Sequence, residues 1–339
     1  MFVEITKDDE TGKMKALALL SGGLDSTLAT RMVLNQGIEV EAINFVSPFC
    51  LCGKGDCGAV GVAKKFSVPL RVVSVGKEYL KIIRNPKHGY GRNMNPCIDC
   101  RIFMLKWARK YAKEVGASFI FTGEVLGERP MSQHRQALEI IEKEAGLKGK
   151  ILRPLSARIL PRTEAEEKGW INREKLLDIK GRSRKKQIET AREFNITDYA
   201  CPAGGCLLTY KEFADKLRDL FEHRKRVTIE DVLLLKVGRH FRFEENKIVV
   251  GRNESENKIL LQSKAKNDYC FEAQECGSPV TLLQGHKTRK AVKAAASLTA
   301  YYSDQKTGQV PIKFNNGNME KSMLVSIPSK EEVEKLRIH

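Results

Sequence analysis

Long apolar runs are missing from this chain, and none approaches the length needed to cross a membrane. The first residues, MFVEITKDDETGK, lack the basic and then apolar layout of a secretory signal. No internal repeat or low-complexity tract is present. These absences disfavour membrane, secreted and repeat proteins, so we expect a cytoplasmic chain with no membrane partner. A hydrophobic share of 42% is enough for globular cores, and 339 residues favour two domains.

Acidic residues are in deficit: 42 Asp and Glu stand against 59 Lys and Arg, which gives a formal net charge of +17. Such an excess favours polyanionic partners, because each cation that meets a phosphate releases a condensed counterion. A Lys-rich composition without any nucleic-acid partner, as in some proteins from hot environments, explains the same charge. Charge alone leaves both interpretations open.

Cysteine is present nine times, an odd number that a closed set of disulfides cannot use up. Disulfides are rare in the cytosol, so metal binding or catalysis better explains several cysteines in such a chain. The cysteines therefore become candidates for chemistry.

Apolar and amphipathic segments alternate through the first half of the chain. This alternation is typical of α/β proteins with a doubly wound parallel sheet, in which ligands bind at the carboxyl ends of the strands. The sequence predicts strands at 15–20, 40–46, 70–75 and 118–122 and helices at 27–36, 59–66 and 102–115.

The texture changes twice towards the end of the chain. Residues 163–220 are highly charged and mostly helical in pattern, and they include a basic cluster, GRSRKKQ. We expect an α/β domain at 14–165, a helical extension with Cys206 at 166–226, and an α+β domain at 227–339. In this last part the sequence predicts strands at 233–237, 247–250 and 280–283 and a helix at 290–301.

A glycine-rich segment, SGGLDS at 21–26, lies between the first strand and the first helix. Two glycines allow a tight turn that brings backbone N–H groups close to an anion, and the helix N-terminus favours negative charge. The lysine of a Walker A loop is missing, which disfavours plain γ-phosphate transfer. Asp25 could position a Mg²⁺ ion held by pyrophosphate. A glycine turn without a ligand is the alternative. The candidate phosphate-binding residues are Ser21, Gly22, Gly23, Asp25 and Ser26.

SGGLDS resembles the signature of the PP-loop, or ATP pyrophosphatase, family. The resemblance implies that ATP is cleaved between its α and β phosphates, and that AMP passes to a carbonyl or carboxyl oxygen. It also implies that Asn44 and Phe45, near the end of the second strand, contact adenine. Thr122 and Gly123 match a Thr-Gly pair that lies near the nucleotide in this family.

Cys97 and Cys100 form a CxxC motif at the start of a predicted helix, where the helix dipole should lower the thiol pKa. A redox or sulfur-transfer pair, a pair of metal ligands and two packed thiols are the competing interpretations. Cys201 and Cys206 lie on a glycine-rich loop. Three thiolates on a 4Fe-4S cluster would leave one iron open for sulfide, and we favour Cys97, Cys100 and Cys206 for this role over Cys201.

The remaining cysteines and the histidines carry weaker signals. Cys50, Cys52 and Cys57 fit a small zinc site, a sulfur relay or a loop with incidental thiols. Cys270 and Cys276 need no role beyond packing. Four histidines do not fall at metal-ligand spacings: His88, His134, His223 and His286.

Further motifs occur in order along residues 95–209: NPCIDC, TGEVLG, RPMSQ, RPLS and PAGGCLLT. Together they are similar to tRNA thiolation proteins related to 4-thiouridine synthase and the 2-thiouridylases. Cluster-dependent members of that group carry a CxxC pair and one distant cysteine, which Cys97, Cys100 and Cys206 match. No THUMP-like or rhodanese domain is recognised. No glycine-rich site for S-adenosylmethionine is recognised either, and this second absence disfavours methyl transfer.

The last domain resembles the NFACT-R family, through GRHFR at 238–242, IVVGRN at 248–253 and AAASLTAYYS at 294–303. That resemblance implies RNA binding. Stacking on exposed bases is expected of His240, Phe241 and Tyr269. Phosphate contacts are expected of Arg239, Arg242, Arg252, Lys287, Arg289 and Lys290, and a basic run at Arg182, Arg184, Lys185 and Lys186 either follows the tRNA backbone or is merely solvated.

The sequence therefore predicts an ATP- and Mg²⁺-using tRNA sulfurtransferase that adenylates a uridine carbonyl and replaces its oxygen with sulfur. Its partners would be tRNA and a sulfur donor, either a persulfide carrier or sulfide, and a homodimer is left open. One alternative is a PP-loop ligase or amidotransferase that acts on a small molecule. Another is an RNA-binding factor without catalysis.

Overall fold

The structure is a computed structural model that describes residues 14–51, 58–197, 199, 205–315 and 319–339. Its contacts divide the chain into one unit that ends at Leu207 and a second unit from Leu208 to His339. The three-part division predicted above stays a prediction. No helix in these described ranges is long and apolar enough to span a bilayer.

The first unit alternates strands and helices. Its strands are β1 (Lys15–Leu19), β2 (Glu39–Val46), β3 (Leu70–Ser74), β4 (Phe119–Thr122) and β5 (Ile151–Leu152). Its helices are α1 (Leu24–Leu34), α2 (Ala59–Lys65), α3 (Lys77–Arg84), α4 (Cys97–Glu114), α5 (Arg135–Ala145), α6 (Glu164–Glu167) and α7 (Lys185–Glu193). The segments predicted from periodicity are confirmed to within a few residues.

The sheet of this unit is parallel, with the strand order β3-β2-β1-β4-β5. Alternate residues of β1 build two cores. Ala16 and Ala18 pack on one face with residues of α1 such as Leu28, whereas Leu17 packs on the other face with Leu105 of α4. Helices on both faces confirm the predicted doubly wound fold. The order of strands reverses between β1 and β4, which is where such sheets open a ligand crevice.

The second unit is an α+β fold around an antiparallel sheet with the strand order β11-β10-β8-β9-β7-β6. Its strands are β6 (Arg239–Phe243), β7 (Asn246–Val250), β8 (Tyr269–Ala273), β9 (Thr281–Gln284), β10 (Gln309–Asn315) and β11 (Glu320–Ser326). Its helices are α8 (Lys211–His223), α9 (Ile229–Leu234), α10 (Glu254–Gln262), α11 (Arg289–Tyr301) and α12 (Lys330–Leu336).

One predicted strand of this unit is wrong. Residues 233–237 lie at the end of α9 and in the turn that follows it. Helix α9 begins at a capping box in which Thr228 accepts a hydrogen bond from the N–H of Asp231, and the Asp231 carboxylate accepts one from the N–H of Thr228. That cap satisfies N–H groups of the first turn and favours a helix over a strand.

Candidate active site

The site lies where β1, β2 and β4 end, at the reversal of strand order. The loop after β1 holds residues 21–23, and the segment after β4 begins with Gly123. Because parallel strands place their carboxyl ends at one edge of the sheet, these loops meet there. The N-terminus of α4, with Cys97 and Cys100, faces the same crevice.

The loop of 21–26 is closed by its own hydroxyl groups. The Oγ atoms of Ser21 and Ser26 lie 3.1 Å apart, and Ser26 Oγ donates to the carbonyl of Gly23 at 3.0 Å. Gly22 adopts a φ of 76°, a conformation that glycine reaches without strain. No side chain in the described part of the chain caps the start of α1. Its first N–H groups therefore remain directed at the crevice, as an anion-binding turn requires.

Gly123 packs directly on this turn. A Cβ atom at position 123 would lie 2.4 Å from the backbone N of Ser26 and 2.6 Å from the carbonyl carbon of Asp25. Those are backbone atoms that cannot rotate away, so only glycine permits the approach of the two loops. The proximity of Thr122 and Gly123 to the phosphate loop thus has a steric origin.

A polar pocket of about 100 Å³ opens beside the turn. Three guanidinium groups and three carboxylates line it, those of Arg101, Arg129, Arg184, Asp25, Glu124 and Glu128. Several buried polar atoms have no hydrogen-bond partner among the described residues: Asp25 Oδ1, Glu128 Oε2 and Arg184 Nη1. Buried polar groups normally find partners, so these atoms fit a polar, charged ligand such as a metal-bound pyrophosphate.

Arg184 belongs to this pocket, which the sequence did not indicate. Its Nη2 atom lies 2.6 Å from a carboxylate oxygen of Glu128 and 3.6 Å from one of Asp25. It is therefore not part of a solvated basic face. The other three cations of the basic run are exposed: Arg182, Lys185 and Lys186.

A second cavity of about 280 Å³ adjoins the first and shares residues with it. The three cysteines selected from the sequence, Cys97, Cys100 and Cys206, all line this cavity, together with Cys50. Four residues predicted to contact ATP line it too: Ser21, Gly23, Asn44 and Phe45. The turn of residues 21–26 and the thiols therefore meet in one crevice.

Cys100 does not have the activated thiol expected from its helix position. Burial raises its pKa above the ordinary value, against a smaller lowering effect of the hydrogen bond with Tyr79. The Tyr79 hydroxyl oxygen lies 2.9 Å from Cys100 Sγ. The expectation of a dipole-lowered pKa is wrong here because desolvation of the thiolate outweighs the dipole.

Arg101, Glu124, Arg153 and Glu142 form a chain of ion pairs that the sequence analysis does not predict. Arg101 Nε lies 3.3 Å from a carboxylate oxygen of Glu124, and Arg153 Nε lies 3.1 Å from the other oxygen. Arg153 also contacts Glu142 at 2.5 Å. Arg101 lines both cavities. The signals in the sequence were the position of Arg101 next to Cys100 and the presence of Glu124 and Arg153 in the TGEVLG and RPLS motifs.

The side-chain oxygen of Asn44, in the wall of the larger cavity, accepts no hydrogen bond from the described residues. The Nδ2 atom of this residue donates to the carbonyl of Leu20 at 2.8 Å, while the buried Oδ1 has no partner among the described residues. An acceptor of this kind can receive the amino group of a purine base. The residue thus fits the adenine contact that its resemblance implied.

The cysteines that the structure describes do not form a site for a single metal ion. Among the residues that the structure describes, no group of three or more His, Cys, Asp or Glu is arranged to hold one. A 4Fe-4S cluster takes each thiolate on a different iron, so its ligands surround a volume and do not converge on one point. Three thiols around one cavity fit that requirement. Cys52, Cys57 and Cys201 lie outside the described residues.

Two of the residues expected to stack on RNA bases cannot do so. His240 and Phe241 are 1% and 0% exposed within the second unit. Arg242 donates to both carboxylate oxygens of Asp219, at 2.8 and 2.5 Å. Of the expected phosphate contacts, Arg289 and Lys290 are exposed at the start of α11.

The carboxyl group of Asp25 should make stability depend on pH. Burial, reinforced by Glu128, raises the pKa of Asp25 from 3.8 to about 6. Between these values the folded state holds a proton that the unfolded state has lost, so the free energy of unfolding falls as pH rises from about 4 to 6. Asp25→Asn should remove this loss and stabilise the protein at pH 8 by about 1–3 kcal/mol.

Urea unfolding at pH 4 and pH 8 measures this difference. Asp178→Asn is the control, because Asp178 lies at the surface beside Lys186. Equal pH dependence in the Asp25 variant and the parent chain would contradict the prediction.

Two family matches cover separate parts of the chain. Residues 11–158 match the family described as thiamine biosynthesis protein (ThiI), and residues 238–337 match the NFACT protein RNA binding domain. A relative named "Probable tRNA sulfurtransferase" from Thermoanaerobacter sp. (strain X514) is 34% identical over 148 residues, which are 42% of this chain and 36% of the relative. The chain spans about a third of the length of the curated relatives it matches.

Solved structures with some similarity include a 4-thiouridine synthetase in an RNA complex with bound ATP, at 24% identity and a TM-score of 0.36. The match covers 66% of this chain and 52% of that one. The U34-tRNA thiolase NcsA from Methanococcus maripaludis with its 4Fe-4S cluster is 16% identical at a TM-score of 0.35, over 68% of this chain and 75% of that one. On the family matches, residues 11–158 are similar to the ThiI family, and residues 238–337 are similar to the NFACT protein RNA binding domain.

Proposed function

We propose that this chain is an ATP-dependent tRNA sulfurtransferase that adenylates a uridine carbonyl and then exchanges its oxygen for sulfur. The observation that carries the proposal is that the phosphate turn and three cysteines, Cys97, Cys100 and Cys206, line adjoining walls of one crevice. A small-molecule ligase of the PP-loop type has no need of such thiols.

In the first step, the uridine oxygen attacks the α-phosphorus of ATP. An O–P bond forms, the bond between the α-phosphorus and the bridging oxygen breaks, and pyrophosphate leaves. The N–H groups at the start of α1 and the guanidinium groups of Arg129 and Arg184 stabilise the charge on the departing group. Asp25 and Glu128 would hold the Mg²⁺ ion, since hard carboxylate oxygens are its preferred ligands.

In the second step, sulfur attacks the activated carbon and the C–O bond to AMP breaks. A cluster held by three protein thiolates would supply an iron with an open coordination position for sulfide. Arg101, which lines both cavities, provides a cation beside the phosphate that leaves with AMP. The target base must leave its stack to reach this crevice.

The environment of Cys100 favours a ligand over a free nucleophile. A thiol whose pKa is raised by desolvation carries little thiolate at neutral pH and reacts slowly. Metal binding deprotonates a thiol outright, so the same burial is compatible with iron ligation. We therefore prefer a cluster to a persulfide carried on Cys100.

The tRNA would bind through the NFACT-type domain. On this domain the exposed cations at the start of α11 are Arg289, Lys290 and Lys293. Lysines and arginines on one helix face contact successive phosphates without reading sequence.

Single alanine variants of the three cysteines test the proposal. Cys97→Ala, Cys100→Ala and Cys206→Ala should each abolish the thionucleoside while ATP still binds. Nucleoside mass spectrometry of tRNA, iron and sulfide analysis after anaerobic purification, and ATP titration calorimetry are the measurements. Cys276→Ala, in the second unit, is the matched control and should retain product.

Three outcomes would replace the proposal. Thionucleoside retained in all three variants would remove the cysteines from the mechanism. ATP–pyrophosphate exchange stimulated by a small acid, and not by tRNA, would indicate a ligase or amidotransferase. Tight RNA binding with no thionucleoside in the parent chain would indicate a binding factor without catalysis.

A further inference from the structure

Two short segments of the first unit run antiparallel beside the crevice. The N–H of Leu207 donates to the carbonyl of Phe49 at 2.8 Å, and the N–H of Leu51 donates to the carbonyl of Gly205 at 3.4 Å. These bonds flank an isolated β-bridge between Cys50 and Cys206. The two cysteines therefore lie directly opposite each other, at a non-hydrogen-bonded position of an antiparallel pair.

This type of pairing brings side chains close together. Residues at non-hydrogen-bonded positions of antiparallel strands have Cα atoms about 4.5 Å apart and side chains on the same face. Disulfides usually join Cα atoms about 4.4–6.8 Å apart. Cys50 and Cys206 also line the same cavity, so both thiols point to one side. A disulfide between them needs little movement of the backbone.

The surroundings hold this register. Phe49 is fully buried, and its ring lies 6.1 Å from that of Tyr79. Gly205 approaches Leu51 so closely that an added Cβ would lie 1.9 Å from Leu51 Cδ1. A shift of either segment would disturb these contacts, so the contacts keep Cys50 opposite Cys206 in the register of the bridge.

We infer that Cys50 and Cys206 are a redox pair that oxidants of the glutathione disulfide class convert into a cross-strand disulfide. One thiolate attacks oxidised glutathione and releases a first glutathione. The second thiolate then attacks the protein sulfur of the mixed disulfide and releases another. Two protein thiols are oxidised, one glutathione disulfide is reduced, and the two thiol protons go to the departing glutathiones.

The disulfide removes Cys206 from the thiolates available in the crevice. Oxidation of the pair would then stop sulfur transfer. This consequence, unlike the disulfide itself, rests on the proposed function. A dithiol reductant restores sulfur transfer. Formation of the disulfide itself depends on neither ATP nor tRNA.

Thiol trapping on the full chain tests the inference. The anaerobically purified protein is equilibrated at a series of reduced to oxidised glutathione ratios, alkylated and digested without reduction. We expect a peptide pair joined through Cys50 and Cys206, a loss of two alkylated cysteines, and full reversal by dithiothreitol. Cys50→Ser should lose the linked pair and accumulate glutathione on Cys206, whereas Cys276→Ser should behave like the parent chain.

Cross-links of Cys206 to Cys201, or of Cys50 to Cys52, in place of the expected pair would overturn the inference. So would the absence of any link at ratios that place glutathione on Cys206. The outcome is separable from the proposed function: a Cys50–Cys206 link in a protein that makes no thionucleoside refutes only the sulfurtransferase proposal. Thionucleoside formation without the link refutes only the redox pair.

Discussion

Gly123→Ala should destabilise the first unit by about 3 kcal/mol or more and slow pyrophosphate release about 100-fold. The added methyl group would lie 2.4 Å from the backbone N of Ser26, well inside van der Waals contact. The atoms that the methyl group would meet belong to the backbone of Asp25 and Ser26, and they cannot rotate away as the end of a side chain can. The start of α1 must move, and its N–H groups then lose their alignment towards the phosphates.

Gly61→Ala is the matched control. Gly61 lies within helix α2, and a Cβ atom there would meet nothing within 4 Å. The same substitution should stabilise this helix by up to about 1 kcal/mol. Thermal unfolding, ATP titration and ATP–pyrophosphate exchange compare the two variants. Normal ATP affinity in a stable Gly123→Ala protein would show that the loops do not need this approach.

The fold and the phosphate turn could be predicted because their signals are local. Strand periodicity and the SGGLDS segment depend on neighbours in sequence. The predicted strands are confirmed, and the segment lies between β1 and α1 as expected, while its binding of phosphate stays a prediction. The failure at residues 233–237 has the same origin. A run of leucines fits a strand or a helix equally, and the capping box at Thr228 and Asp231 decides for a helix.

Most of the residues that complete the candidate site could not be found in this way. Tyr79, Glu124 and Arg153 gain their meaning from contacts between elements far apart in sequence. Arg184 stood in a basic run whose composition suggested solvent or RNA, but its contacts are with Glu128 and Asp25. Composition reports charge and does not report which charges face a crevice.

Burial caused the errors about surface roles. His240 and Phe241 are neighbours along β6, between Arg239 and Arg242, and a strand places successive side chains on opposite faces. This geometry places His240 and Phe241 on different faces of β6, so the two side chains cannot stack on RNA bases from one surface. Their complete burial depends on how helices cover both faces, which no local pattern gives.

Glu124→Gln should lower the free energy of unfolding by about 3 kcal/mol at pH 7, because the buried guanidinium of Arg153 then keeps only one of its two carboxylates, that of Glu142. Glu124 and Arg153 are 2% and 4% exposed, so water cannot replace the lost charge. The substitution keeps the shape of the side chain, which excludes a cavity as the cause. Arg101 loses its anchor as well, so thionucleoside formation should fall further than stability alone explains.

The pH dependence identifies the charge as the origin of this effect. Burial alone would raise the pKa of Glu124, but Arg101 and Arg153 lower it below its ordinary value. A carboxyl group with a lowered pKa contributes stability above its unfolded pKa and loses it as pH falls through the folded one. The gap between parent and Glu124→Gln should therefore be widest at neutral pH and narrow below pH about 4.

Urea unfolding across this pH range measures the gap, with Glu164→Gln as the control. Glu164 pairs with Lys168 at the surface, where solvent and salt screen the interaction, so that substitution should change stability little. A double-mutant cycle with Arg153→Met isolates the coupling between Glu124 and Arg153. A gap that does not vary with pH, or a coupling near zero, would show that packing and not charge holds Arg101 between the phosphate pocket and the cysteines.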